Sequence, residues 1–172
     1  MTAPVIQKTY KRITKLGMSS VGRFPLADFY AFPFSQPAGL SAIAPLHIAL
    51  LARLSEMMVS QKLTKRFDAA SVEAVTNAAQ HALAGTDIAA TLLVYQLAGY
   101  QVCVLIVENR IDPAAAIRFP KIKDLLPLNQ YSLQERGRGI PIMRQCADGF
   151  HITAIIGRSV HVYLTFAEPI QP

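Results

Sequence analysis

Hydrophobic and polar positions along the chain follow two periods. From Ser41 to about Val59, "SAIAPLHIALLARLSEMMV" repeats its apolar residues at helical spacing, with Pro45 in the first turn, where a proline is tolerated. His47 on this helix reads as a core-edge residue. A second helix is expected from about Asp68 to Leu83, with Asp68 as N-cap and Gly85 as its stop. Ile88 to Val107 then carries no charge over 20 residues, the length of a membrane span. Yet Gly99-Tyr100 falls near its middle, Gln96 and Gln101 flank that point, and β-branched residues abound. The stretch therefore predicts two buried strands joined by a tight turn.

Further on, "GRGIPIMRQCADG" reads as a glycine-led helix closing at Asp148-Gly149. The stretch "FHITAIIGRSVHVYLTF" alternates around Gly157-Arg158, a hairpin signal. His151 and His161 fall in these strands, with ordinary strand roles expected. Two regions lack a period. Residues 1–39 form a lead-in punctuated by Pro25, Pro33 and Pro37, in which "ADFYAFPF" is a candidate strand. The segment from Arg110 to Arg136 holds Pro113, Pro120 and Pro127 and is long for a connection inside a domain, which marks it as functional or mobile. The order helix, helix, hairpin, long loop, helix, hairpin predicts an α+β fold. It is a two-layer α/β sandwich with a mixed or antiparallel sheet and helices on one face. One domain over 40–172 follows the lead-in.

Composition narrows this picture. The 172 residues are 52% hydrophobic and 16% charged, a globular balance without repeats. Cys103 and Cys146 lie in apolar segments with no CxxC or Cys/His ligand spacing, so both are expected as reduced core residues. The first fifteen residues lack the apolar region of a signal peptide. The cytoplasm is the expected compartment, and no membrane is expected as partner. Net charge is +6, and residues 1–66 hold nine Lys/Arg against two Asp/Glu. Without an aromatic ladder or a DNA-binding pattern, this basic stretch reads as a solvated tail, and no direct nucleic-acid partner is expected.

The candidate chemistry begins with "SVEAVTNAAQHAL". Glu73, Asn77 and His81 are four residues apart and share one side of a helix. Three such residues alone are commonly a solvated stripe. Here Val72, Ala74, Val75, Ala78, Ala79 and Ala82 make the helix small or apolar nearly all round, so it is expected to be covered. Polar groups on a covered helix need partners or line a cavity. A carboxylate and an amide oxygen in such a cavity suit a hydrated Mg²⁺ and a hydroxyl awaiting proton abstraction.

The second candidate is "ERGRGIPIMRQ". Glycines before a helix let backbone amides approach an anion, and the helix N-terminus adds partial positive charge. Arg136 and Arg138 supply formal charge beside them. No GxxxxGK[ST] phosphate loop occurs in the chain.

The pairing of "EAVTNAAQHA" with "ERGRGIPIMRQCADGF", across a hydrophobic hairpin and a long loop, resembles the GHKL ATPase superfamily. Within it, the likeness is to the anti-sigma-factor serine/threonine kinases of bacterial partner-switching systems, over about Asp68 to Phe166. The resemblance implies a Bergerat fold with ATP between helices and a lid at about 110–136. It implies Glu73 as the general base, Asn77 as the Mg²⁺ ligand, and His81 near the phosphates or ribose. Gly137 and Gly139, with Arg136 and Arg138, match the second glycine box, and Pro141 replaces a further glycine of many relatives. Arg118, Lys121 and Lys123 belong to the lid.

One family element is missing. Relatives follow the second hairpin strand with Asp-x-Gly-x-Gly, whereas this chain has "VENRIDPAAA" and no glycine between Gly99 and Gly137. Aligned on the strand end, Asn109 takes the adenine-recognising position. Aligned on the carboxylate, Asp112 does, with alanines where the glycines would be.

Three expectations follow. The first is an ATP-dependent kinase that phosphorylates a STAS-domain antagonist and binds a sigma factor, with a homodimer among the expectations. The second is a non-catalytic partner-switching module. The third, a detached sensor-kinase ATPase domain, is disfavoured, since no phosphoacceptor histidine helix precedes the domain.

Overall fold

The structure, a computed structural model, describes residues 27–112, 139–155 and 159–170. Strand β1 (Ala27–Pro37) leads through a short 3-10 turn (Leu40–Ala42) into helix α1 (Ile43–Glu56) and helix α2 (Gln61–His81). Strands β2 (Asp87–Leu97) and β3 (Tyr100–Arg110) form the central hairpin. Helix α3 (Gly139–Cys146) precedes strands β4 (Gly149–Ile155) and β5 (Ser159–Pro169). The five strands make one sheet in the order β1-β2-β3-β5-β4, and every neighbouring pair is antiparallel. The fold is α+β, a two-layer sandwich with the helices on one face of the sheet. Among the described residues no helix is long and apolar enough to cross a membrane.

Alternation along the strands sorts the core. Ile88, Ala90, Leu92 and Val94 of β2, with Cys103, Leu105 and Val107 of β3 and Leu164 and Phe166 of β5, face the helices. They meet Leu46, Leu50 and Leu54 of α1 and Leu63, Phe67, Ala70, Ala74 and Ala78 of α2. The Phe67 and Phe166 rings lie 5.3 Å apart between centroids, tilted at 55°, and join helix to sheet. Leu93, Tyr95, Val102 and Val104 form a separate apolar cluster on the other face.

Three local expectations are corrected. Helix α2 begins two turns earlier than Asp68. Its N-cap is Ser60, whose hydroxyl accepts from the Leu63 amide at 3.1 Å. Asp68 sits inside the helix, with its carboxylate 2.8 Å from Nε2 of His47 on α1. The helix ends at His81, before Gly85, with Ala82 already extended. The central hairpin turns at Ala98-Gly99, not Gly99-Tyr100: both have positive φ, 50° and 82°, and Leu97 pairs with Tyr100. The candidate strand of the lead-in is β1, an edge strand of the sheet. The Gly157-Arg158 turn and nearly all of the 110–136 lid segment, including Arg118, Lys121 and Lys123, lie outside the described residues.

Cys103 is fully buried and free, and burial pushes its thiol up to about 12. Cys146 is half-buried and free; burial raises its thiol too, while the Arg66 guanidinium pulls the other way.

Candidate functional site

The buried stripe of α2 runs through Leu63, Phe67, Ala70, Ala74 and Ala78 onto the sheet. Rotating from that stripe brings up a second one, Arg66, Ala70, Glu73 and Asn77, at spacings of three and four. This second stripe meets α3. A Cβ built on Gly139 would lie 2.8 Å from Asn77 Nδ2, 2.9 Å from Glu73 Oε2 and 3.4 Å from Asn77 Oδ1. At the other end, Arg66 Nε donates to the Cys146 carbonyl at 2.9 Å, and Arg66 Nη2 is 2.6 Å from Asp148 Oδ1. The two helices therefore run antiparallel, with the start of α3 seated on the ends of the Glu73 and Asn77 side chains.

That seat needs glycine. Any side chain at 139 meets the Glu73 carboxylate and the Asn77 carboxamide closer than a Cβ ordinarily approaches a heavy atom. Gly139 is buried at the first position of α3, where backbone amides have no partner within the helix. Pro141 follows at the third position, where its fixed φ suits the helix and its missing N–H forfeits nothing. The Glu73 carboxylate at this end complements the helix dipole, a placement worth about 0.3–1 kcal/mol in its own right. Glu73 and Asn77 are both half-buried, and neither takes part in a hydrogen bond or ion pair with another described residue.

The other candidates lie as follows. Asn109 is 5% exposed near the end of β3, opposite Ile88 of β2 and Val160 of β5, on the helix-covered face. Its Nδ2 donates to the Arg110 carbonyl at 3.4 Å. The Leu83 amide donates to that same carbonyl at 2.8 Å, which ties this strand end to the exit of α2. His81 is exposed on the last residue of α2, and Asp112 is exposed past β3. Arg136, Gly137 and Arg138 lie outside the described residues. The structure thus brings together Glu73, Asn77 and Gly139. Asn109 lies beside the far end of the same helix.

No protein-family model matches the chain, and no curated protein does. A solved structure does. One chain in the crystal structure of the SiaB–SiaC complex from Pseudomonas aeruginosa is similar at a TM-score of 0.52 and 14% identity. The likeness covers 98% of this chain and 99% of that one. What is shared at that identity is the fold.

Chemically, the cluster sets acceptors beside donors. Glu73 and Asn77 present oxygens, and the first turn of α3 presents amide N–H groups. Among the described residues no group of three or more His, Cys, Asp or Glu side chains could hold a metal ion. A cation beside Asn77 Oδ1 would therefore take its remaining oxygens from phosphate and water, the usual habit of Mg²⁺.

Two charged residues escaped the sequence reading. Arg66 lies between the two helices that periodicity predicts, and Asp148 in the turn expected to close the glycine-led helix. Their signal was present but weak: an arginine seven residues before Glu73 falls on the same helix side. His151 and His161 lie in strands β4 and β5, as expected. His161 is buried with Nε2 2.9 Å from Ser159 Oγ and Nδ1 3.5 Å from Glu108 Oε2. By strand alternation this group is on the sheet face away from Glu73.

Proposed function

We propose that this chain is an ATP-binding regulator of the partner-switching kind, with serine/threonine kinase activity toward a STAS-type antagonist protein. The observation that carries the reading is the contact of Glu73 and Asn77 with the backbone of Gly139, joining two motifs far apart in sequence. Asn77 would hold Mg²⁺, which when bound screens the charge of the phosphate chain. The Glu73 carboxylate would take the proton of an incoming serine or threonine hydroxyl at Oε1 or Oε2. The amides of Gly139 and Ile140 would donate to phosphate oxygens. Phosphoryl transfer asks little covalent chemistry of a protein, so holding these groups in place is most of the task. A protein partner is supported by the similar chain, which comes from a two-protein complex. Sigma-factor capture and a homodimer belong to the same proposal. The test is transfer of labelled phosphate from ATP to a cognate antagonist. Glu73→Ala abolishes it on this reading, and transfer at the unmodified rate rejects the assignment.

One observation favours a second reading, a binding module without turnover. Aligned on the strand end, the position where the resembled family places an adenine-binding carboxylate holds the neutral Asn109; aligned on the carboxylate, Asp112 opens "DPAAA" without glycines. Calorimetric titration with Mg-ATP separates the two: micromolar binding lost in Asn77→Ala eliminates the module.

A further inference from the structure

Helices α2 and α3 are matched in length between two fixed points. From Arg66 to Glu73 is seven residues, and so is Gly139 to Cys146, each about 10 Å at 1.5 Å per residue. One end of the matched span is the Gly139 contact with Glu73 and Asn77. The other is a node centred on Asp148. Its Oδ1 holds Arg66 at 2.6 Å, its Oδ2 accepts from the Ala167 amide at 2.7 Å, and its own amide donates to the Thr165 carbonyl at 2.8 Å. Arg66 adds the bond to the Cys146 carbonyl, one of the last carbonyls of α3, which have no partner within the helix. Three elements, α2, α3 and β5, are thus tied together through Arg66 and Asp148.

We infer that Arg66 and Asp148 are positioning residues for the nucleotide site, acting through α3. The helix has only eight residues. With its C-terminal end held, its N-terminal amides stay in register with Glu73 and Asn77. Released, the helix slides or pivots, and its first amides move away from Glu73 and Asn77. A misplacement of about 1 Å in such a constellation costs on the order of a hundredfold in rate. The guanidinium suits this task because its fork donates in two fixed directions at once, to the carbonyl and the carboxylate. Lysine reaches one of the two. The inference rests on the nucleotide site proposed above, but its geometric part does not require that site to bind nucleotide.

The experiment has two readouts on the full chain. The first is the Kd for Mg-ATP by calorimetry in Arg66→Ala, Arg66→Lys, Asp148→Asn and Gly139→Ala, with the double variant Arg66→Ala/Gly139→Ala. Arg66→Ala is expected to weaken binding about tenfold, with Arg66→Lys in between. In the Gly139→Ala background the further loss is expected to be under threefold, because the amides are already displaced. The second readout is amide hydrogen exchange at Met143 and Arg144, whose amides are bonded within α3, compared with Leu92 and Leu105 in the central hairpin. Faster exchange in α3 alone marks local release, whereas general destabilisation speeds both. Unchanged α3 exchange in Arg66→Ala overturns the inference, as do equal Kd values or fully additive losses. If the unmodified protein binds no Mg-ATP, the proposed function falls, and the exchange result alone decides whether the clamp exists.

Discussion

Glu73 and Gly139 touch: an added Cβ on the glycine would stand 2.9 Å from the glutamate Oε2. The contact leaves no room for a side chain at 139 unless the Glu73 and Asn77 ends move, and it places a carboxylate at a helix start. It predicts the behaviour of both residues.

Gly139→Ala forces the Glu73 and Asn77 side-chain ends apart. No positive φ is involved at this position, so the backbone tolerates the change and the side chains absorb it. The expected result is Mg-ATP affinity reduced about tenfold, or about 1.4 kcal/mol, with urea stability changed by less than about 1 kcal/mol. Calorimetry and urea titration on the same preparation measure the two.

Glu73→Gln retains shape and removes the charge. Phosphate transfer to a cognate antagonist is expected to fall by about 10²–10⁴, the usual contribution of a positioned base, while Mg-ATP binding changes little. A rate within threefold of the unmodified protein counts against Glu73 as the base.

Alkaline stability should fall through two buried groups. Cys103 is raised from 9.0 to about 12 and Tyr95 from 10.0 to about 12, both mainly by burial, with Cys103 itself a second cause for Tyr95. Above pH 9 the unfolded chain releases the thiol proton that the folded chain keeps. It binds fewer protons, so stability drops as pH rises toward 12, by about 1.4 kcal/mol per pH unit for each fully titrating group. Below pH 9 neither group contributes a slope. Urea midpoints from pH 8 to 11 should show the decline, lessened in Cys103→Ala and, above pH 10, in Tyr95→Phe.

Ala98 carries φ 50° beside Gly99 at 82° in a two-residue turn. Alanine is poorly suited to that conformation, whereas Asn-Gly is the preferred pair there. Ala98→Asn is expected to stabilise the protein by about 0.5–1 kcal/mol, read as a raised urea midpoint at unchanged slope.

The sandwich and most of its elements could be read from periodicity because the apolar positions are numerous and regular. Glu73 and Asn77 stood out for a complementary reason: polar groups at i and i+4 on a helix of alanines. What escaped notice depends on single residues. The start of α2 was hidden because Gln61, Lys62, Thr64, Lys65 and Arg66 dilute the apolar signal, although Leu63 and Phe67 keep the helical step. The hairpin turn was misplaced by one residue because Ala98 is not a usual turn former. Arg66 and Asp148 meet only through tertiary structure, and no local pattern marks either of them.

The pairing of β3 with β5 has a consequence for biosynthesis. Val104 faces Thr165 across a long stretch of intervening chain, and such a distant closure is entropically costly and slow compared with zipping a hairpin. A ribosome delivers β1, both long helices and the β2–β3 hairpin well before α3 and the last two strands emerge. The nascent chain therefore carries Glu73 and Asn77 with no third helix against them, and their contact with Gly139 forms only when the second hairpin docks.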